Sequence, residues 1–345
     1  MSSAMSNPVI LYLPLLVHSD VAVQRQATTI LLTHYGNRAL TYLRRLLDDP
    51  ELADQARLAL KNIGEISGLR VELRPFRGVY VRCLGDFQVF IDSRMIKPDE
   101  WGQSEGGKAG GRKVQGMFAY LVHCGVEGAT RSEIAEAVWG GTASASSFAR
   151  TLTALRQVLQ QCGGEELAAS LLYTDRQRCA LNPDLYQSDA DLLERTFDLA
   201  TRTANTQGVE AALSFYQYVL DLYDGPYMEG VVGAQEWAAE RGARLLSHVV
   251  LAGERLASTA LHNGQVEQCL QYCQRVLAHE PRAVGVLSLL LRAGHRLGLP
   301  AEIQRAYQRY LSATGINPRR KRDDPVVKLY RELSESVEDR GSNGG

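Results

Sequence analysis

This sequence carries almost no excess charge: 38 Lys plus Arg stand against 39 Asp plus Glu over 345 residues, a formal net of −1. A molecule whose whole surface attracts polyanions is thereby excluded, and any affinity for nucleic acid has to come from local placement of basic side chains. Long apolar runs are missing too. The stretch from Pro8 to Val17 has no basic residues ahead of it and is broken by Pro14, and no other stretch approaches eighteen apolar residues. Neither a signal peptide nor a membrane span is expected, so the reading is a cytoplasmic protein without a membrane partner. The six cysteines (Cys83, Cys124, Cys162, Cys179, Cys269 and Cys273) form no CxxC pair and stand beside no cluster of histidines at zinc-ligand spacing. They read as small core residues in a reducing compartment, and no metal is expected. Seven scattered histidines have no Ser or Cys partner motif, so no catalytic set, no cofactor and no enzyme activity are expected. Gly102 to Ala109 has the form GxxxxGK but ends in Ala, where a phosphate-binding loop needs the Mg²⁺-ligating hydroxyl of Ser or Thr. It reads as a loop.

Length and composition are those of an ordinary globular protein with two or three domains, 45% hydrophobic and 22% charged. Fifteen Tyr against seven Phe suggest many half-buried aromatic positions, as between stacked helix pairs. The first seventy residues contain a repeat. Asp20, Val23, Gln26, Ala27 and Leu31 recur as Asp49, Leu52, Gln55, Ala56 and Leu60, an offset of 29, with Ala39, Leu40, Leu43, Leu46 and Leu47 at helical spacing between them. Each unit is a helix, a break at an Asp and a second helix, which resembles a short HEAT-like repeat. Two units make a cap. Its surface serves a partner or packs against the rest of the chain, and the sequence leaves both open.

Near Gly68 the pattern changes. Val71–Leu73, Val79–Leu84 and Phe87–Ile91 alternate with period two, punctuated by Gly85-Asp86, and predict short strands in a small antiparallel sheet. Helices are predicted over about 112–124, over 131–139 behind Thr130 as N-cap, and over about 144–161. Leu171–Tyr173 and Cys179–Leu181 then bracket Asp175–Arg178 as a hairpin. Strands, three helices and a hairpin are the element order of a winged helix. From Ser188 onward the pattern is helical. Gly264-Gln265 with Gln274-Arg275 is echoed by Gly298-Leu299 with Gln308-Arg309, an offset of 34, the tetratricopeptide period.

In a helix-turn-helix the second helix braces the third, which lies in the major groove. Phe148, Leu152, Leu155 and Leu159 repeat at helical spacing and would face the core. Ser147, Arg150, Thr151, Thr153, Ala154 and Gln157 fall elsewhere, and no acidic residue lies between Ser144 and Gln161. Arg150 can fork onto guanine O6 and N7, and Thr or Ala can touch a thymine methyl. Arg156 is expected to reach phosphate or an intramolecular carboxylate. The hairpin tip, Arg176, Gln177 and Arg178, suits an adjacent minor groove or its phosphates. Lys108, Arg112 and Lys113 could hold backbone phosphates. Residues 70–186 contain fourteen Lys plus Arg against thirteen Asp plus Glu, a balance that predicts a shallow salt dependence. Arg319-Arg320-Lys321-Arg322, followed at once by Asp323-Asp324, reads as a solvated loop or as a phosphate or polymerase contact.

Several stretches together carry a resemblance. They are Val81–Phe87, Trp101, Arg112-Lys113-Val114 leading into Phe118–Leu121, Arg131–Ile134 through Val138-Trp139, and Leu152–Leu159. Downstream come Asp189, Leu222–Tyr227, Glu236-Trp237 with Arg241, Ala306-Tyr307, and Pro325 with Leu329-Tyr330. In order and spacing, residues from about 80 to 330 resemble the bacterial transcriptional activator family of Streptomyces antibiotic regulatory protein type. The resemblance implies a response-regulator-type winged helix followed by tetratricopeptide-like helices, binding to double-stranded promoter repeats, and contact with RNA polymerase. The sequence departs from the family pattern at Arg178-Cys179, where Gly-Tyr is usual, in its longer Gly-rich loop, in a recognition helix with few basic residues, and at Val284-Gly285, where an acidic residue is usual.

The expected architecture is mainly α with a small β component. It comprises a HEAT-like cap at 1–69, a winged helix-turn-helix at 70–187, a tetratricopeptide-like activator domain at 188–336, and a flexible tail at 337–345. The expected function is a DNA-binding transcriptional regulator, an activator by resemblance. Its helical domains would set oligomeric state (a homo-oligomer included), effector response or polymerase contact. The alternative is a protein-interaction adaptor whose winged helix has lost its grip on DNA.

Overall fold

The computed structural model describes residues 8–35, 38–69, 71, 73, 78–91, 94–102, 110–141 and 143–342. Its chain forms two compact units. One comprises residues 1–195 with 224–243, the other residues 196–223 with 244–345. The chain passes between them at residues 195–196, 223–224 and 243–244.

The first unit begins with the cap. A short 3-10 turn and α1 (Leu13–Leu16) precede α2 (Val21–Tyr35); α3 (Arg38–Arg45) and another 3-10 turn precede α4 (Ala53–Ser67). The repeated aspartates start the second helix of each pair. Asp20 Oδ1 accepts from the amide of Ala22 at 2.8 Å, and Asp49 Oδ1 accepts from those of Glu51 and Leu52 at 2.9 and 3.2 Å. Such side-chain acceptors satisfy amides that the first helical turn leaves without partners. Ala27 and Leu31 in one copy, Ala56 and Leu60 in the other, are buried at equivalent places. Tyr35 joins the two pairs, with edge-on rings of Tyr12 and Tyr42 at 6.5 and 5.9 Å. The cap packs on the sheet that follows: Arg45 Nη1 donates to Gln187 Oε1 at 2.9 Å and its guanidinium lies over the Tyr80 ring.

That sheet has the order β3-β2-β1-β7, with β1 Val79–Arg82, β2 Gln88–Ile91, β3 Arg94–Met95 and β7 Tyr186–Ser188. β1 pairs antiparallel with β2, as alternation predicts, but parallel with β7. The parallel strand returns from beyond the wing, so the pattern of residues 71–91 carries no sign of it. Val71 and Leu73 lie outside any strand, and Glu72 is not among the described residues. The three helices are α5 (Gly111–Cys124), α6 (Arg131–Trp139) and α7 (Ala145–Leu171), with β4 (Ala129–Thr130) between the first two. α7 is broken at Gly164, whose backbone is non-helical, so its regular first part ends close to the expected boundary at Gln161. β5 (Leu172–Thr174) and β6 (Arg178–Leu181) form the wing hairpin, and β4 adds to β6 in a three-stranded sheet of order β4-β6-β5.

Residues 224–243 fold back onto this unit. The amide of Met228 donates to the Cys83 carbonyl at 2.6 Å and that of Gly85 to the Pro226 carbonyl at 3.0 Å. Arg82 pairs with Asp224. Arg241, at the start of α11 (Ala239–His262), reaches Asp191 and Glu194 of α8 (Asp189–Gln207) at 2.6 Å each, and its Nη1 donates to Tyr227 Oη at 3.2 Å. α10 (Ala234–Trp237) places the Trp237 ring against His123 at 4.9 Å and Tyr120 at 5.2 Å.

The second unit is all helix: the later parts of α8 (Asp189–Gln207) and α11 (Ala239–His262), with α9 (Val209–Leu222), α12 (Val266–His279), α13 (Val284–Arg296), α14 (Pro300–Thr314) and α15 (Pro325–Ser342). Gly264 and Gly298, the two ends of the 34-residue offset, fall in the turns before α12 and α14, so the offset is one helix pair stacked on the next. α13 packs on α12, α14 and α15. Cys269 and Cys273 are buried core residues of α12, and Tyr307 stacks on Tyr330 at 3.9 Å. α15 runs to Ser342, through most of the stretch expected as a tail. No described helix is long and apolar enough to cross a membrane.

Candidate nucleic-acid interface

Two caps fix the helix-turn-helix. Thr130 Oγ1 accepts from the amide of Glu133 at 3.2 Å while Glu133 accepts from the amide of Thr130 at 2.7 Å, a reciprocal capping box at the start of α6. That amide hydrogen bond holds the Glu133 carboxyl below its usual range. Ser144 Oγ accepts from the amide of Ser147 at 3.1 Å and starts α7.

α7 buries Phe148, Leu152, Leu155 and Leu159, as its spacing predicts, and also Thr151, Ala154 and Val158. The buried face is wide because α7 packs against α5, β5 and the turn at Glu100–Gly102. Thr151 and Ala154 are therefore corrected: at 3% and 2% exposure they cannot reach a base edge. The Thr151 hydroxyl donates to the Ser147 carbonyl at 3.0 Å, satisfying it inside the fold. The outward face holds Ser146, Ala149, Arg150, Thr153, Arg156 and Gln160, with Ser147 and Gln157 half-buried at its edges. Arg150 lies back along its own helix, Nε donating to the Ser146 carbonyl at 3.2 Å and Nη2 to Ser147 Oγ at 3.4 Å.

The wing is a tight hairpin whose tip is Arg176-Gln177. The Asp175 carboxylate accepts from the amides of Gln177 and Arg178, both at 2.7 Å, and these bonds hold its carboxyl below the usual range. Arg176, Gln177 and Arg178 are all exposed. The tip is tied to both helices. The amide of Arg131 donates to the Gln177 carbonyl at 3.1 Å, and Arg156 of α7 donates to Thr174 Oγ1 on the first wing strand. Arg156 thus joins helix to wing; among the described residues it forms no ion pair with a carboxylate.

Ring contacts gather further cations at the start of α7. Arg131 lies over the Phe148 ring, Trp139 lies 6.3 Å from Phe148, and Lys113 lies over Trp139. Arg112 is exposed beside Lys113, whereas Lys108 lies outside the described residues. Among the described residues none of Arg112, Lys113, Arg131, Arg150, Arg156, Arg176 and Arg178 forms an ion pair, unlike Arg82, Arg94 and Arg241. Arg131 and Tyr173 escape a reading confined to α7 and the wing tip. Tyr173 is 62% exposed on the first wing strand, and its signal was the alternation with buried Leu172. Among the described residues no three His, Cys, Asp or Glu side chains converge as a metal site.

Residues 188–320 match the family model of the bacterial transcriptional activator domain. The resemblance read from the sequence holds over that stretch. A solved structure with the same fold is that of Mycobacterium tuberculosis EmbR in complex with a low-affinity phosphopeptide, at 16% identity and a TM-score of 0.54 over 75% of this chain. The match spans 66% of the EmbR chain, just under two thirds of its length. A comparison with curated proteins finds no match.

Proposed function

We propose that this chain, which carries a bacterial transcriptional activator domain, is a cytoplasmic transcription regulator that binds double-stranded promoter DNA through its winged helix. α7 enters the major groove with Arg150 and Thr153 toward base edges and Ser147 and Gln157 at the rim. Arg176, Gln177 and Arg178 take the neighbouring minor groove or its phosphates, while Arg112, Lys113 and Arg131 take phosphates. One observation carries this reading: among the described residues, seven cations lie on the helix-turn-helix and the wing, and none of them forms an ion pair with a carboxylate. Cations left in this state bind phosphates without first breaking an internal pair.

In this reading residues 1–69 are a cap that positions the winged helix, 70–187 bind DNA, and the helices at 188–336 contact RNA polymerase or an effector. No step of it needs catalysis. Anisotropy of a labelled duplex from the region upstream of the chain's own gene, titrated at about 50 mM salt, tests the reading. Saturable binding with preference over a scrambled duplex is the expected result. No binding at that salt, with a stable protein partner recovered instead, would establish the adaptor.

A further inference from the structure

The four consecutive cations Arg319-Arg320-Lys321-Arg322 occupy the turn between α14 and α15, and all are exposed. The turn is built by its own backbone. Asn317 accepts through its carbonyl from the amides of Arg320 and Lys321, both at 3.0 Å, and through Oδ1 from that of Arg319, also at 3.0 Å. The four side chains take no part in it. The sequence sets two aspartates directly after the cations, but Asp324 is committed elsewhere. Its Oδ1 accepts from the amides of Val326 and Val327 at 3.0 and 3.1 Å, capping α15, and its Oδ2 accepts from Tyr310 Oη at 2.9 Å. Among the described residues none of the four cations forms an ion pair. Lys328, one turn into α15, is exposed as well.

Two kinds of partner answer such a charge, a protein face and a nucleic-acid backbone. A protein interface draws most of its energy from apolar or aromatic anchors near its centre. Of the large exposed hydrophobic side chains, none lies between Ile316 and Arg331. A phosphate backbone asks only for charge, and closely spaced Arg and Lys side chains on a hydrogen-bonded turn supply it. We infer that the Arg319–Arg322 turn is a second DNA-contacting site, which binds backbone phosphates of the duplex without reading its sequence. The inference rests on the DNA-binding function proposed above and adds a contact outside the winged helix.

The test is the salt dependence of duplex binding by the full chain, compared with a variant carrying Arg319→Ala, Arg320→Ala, Lys321→Ala and Arg322→Ala, and with one carrying Arg319→Lys, Arg320→Lys and Arg322→Lys. Each phosphate contact contributes about 0.9 to the slope of log affinity against log salt. The alanine variant is expected to lose about 2 to 4 from that slope, to keep its preference for the specific over a scrambled duplex, and to regain the slope in the lysine variant. An unchanged slope in the alanine variant, with the parent chain binding normally, would overturn this inference alone. Equal loss in both variants would overturn it too, because the turn's shape and not its charge would then matter. Absence of duplex binding by the parent chain would remove both this inference and the function it rests on.

Discussion

The Asp189 carboxylate lies 2.7 Å from the amide nitrogen of Cys83, and it also accepts from the amides of Leu84 and Ala190 at 3.1 and 2.8 Å. The first residue of α8 is thereby bonded to the end of β1, more than a hundred residues earlier in the chain. Three donated bonds favour the ionised carboxylate, yet full burial opposes it more strongly and pushes its pKa up to about 7.

A pH dependence follows. Between roughly pH 4, the ordinary Asp range, and pH 7 the unfolded chain has lost this proton while the folded chain keeps it. The Asp189 contribution to stability therefore falls as pH rises through that window. Thermal midpoints of the parent and of Asp189→Asn, measured from pH 4 to 7.5, are expected to diverge in the parent's favour toward the acid end. A difference independent of pH would refute the assignment.

Arg241→Ala is expected to destabilise the first unit by about 2–4 kcal/mol, because it removes the ion pairs to Asp191 and Glu194, both only partly exposed. Urea denaturation with Trp fluorescence checks this, since Trp237 lies in the same folded-back segment. A shift in midpoint below about 0.5 kcal/mol would mean that the network is slack.

On DNA, Arg150→Ala should weaken specific binding by about 1–3 kcal/mol if the contact is a bidentate one to guanine. Thr151→Val should leave sequence preference intact, because that hydroxyl is spent on Ser147 inside the fold. Competition with base-substituted duplexes separates the two. Equal effects from both variants would contradict the orientation of α7.

Gly128→Ala should be costly and Gly140→Ala much less so, although both glycines have positive φ, at 60° and 70°. A methyl at Gly128 would meet the Cys179 carbonyl oxygen at 2.4 Å, on the backbone of the second wing strand, whereas nothing stands within 4 Å of one at Gly140. About 1–3 kcal/mol of strain plus the clash is expected for the first, and about 1–2 kcal/mol for the second. Chemical denaturation of both variants would show the order reversed if the wing were loosely held.

Local signals were legible wherever a residue's partner lies a few positions away. Thr130 and Glu133 cap each other across three residues, Asp20 and Asp49 bond amides two or three residues on, and Leu172 and Tyr173 alternate across the wing strand. The fold class follows from such signals. The parallel pairing of β1 with β7 and the return of residues 224–243 onto the β1–β2 turn do not, because each depends on partners about a hundred residues or more distant.

The sequence by itself determined a mainly helical chain, the winged-helix order of elements, the helix caps, and the spacing that buries Phe148 and its apolar companions. Tertiary structure decided what that helix offers to a ligand. Packed on three sides, α7 hides Thr151 and Ala154, and the contacts of Arg131 and Arg156 bind the wing to the helix-turn-helix. Helical periodicity fixes which residues share a face, but how wide a face is covered depends on how many neighbours pack against it. Periodicity carries no record of that number.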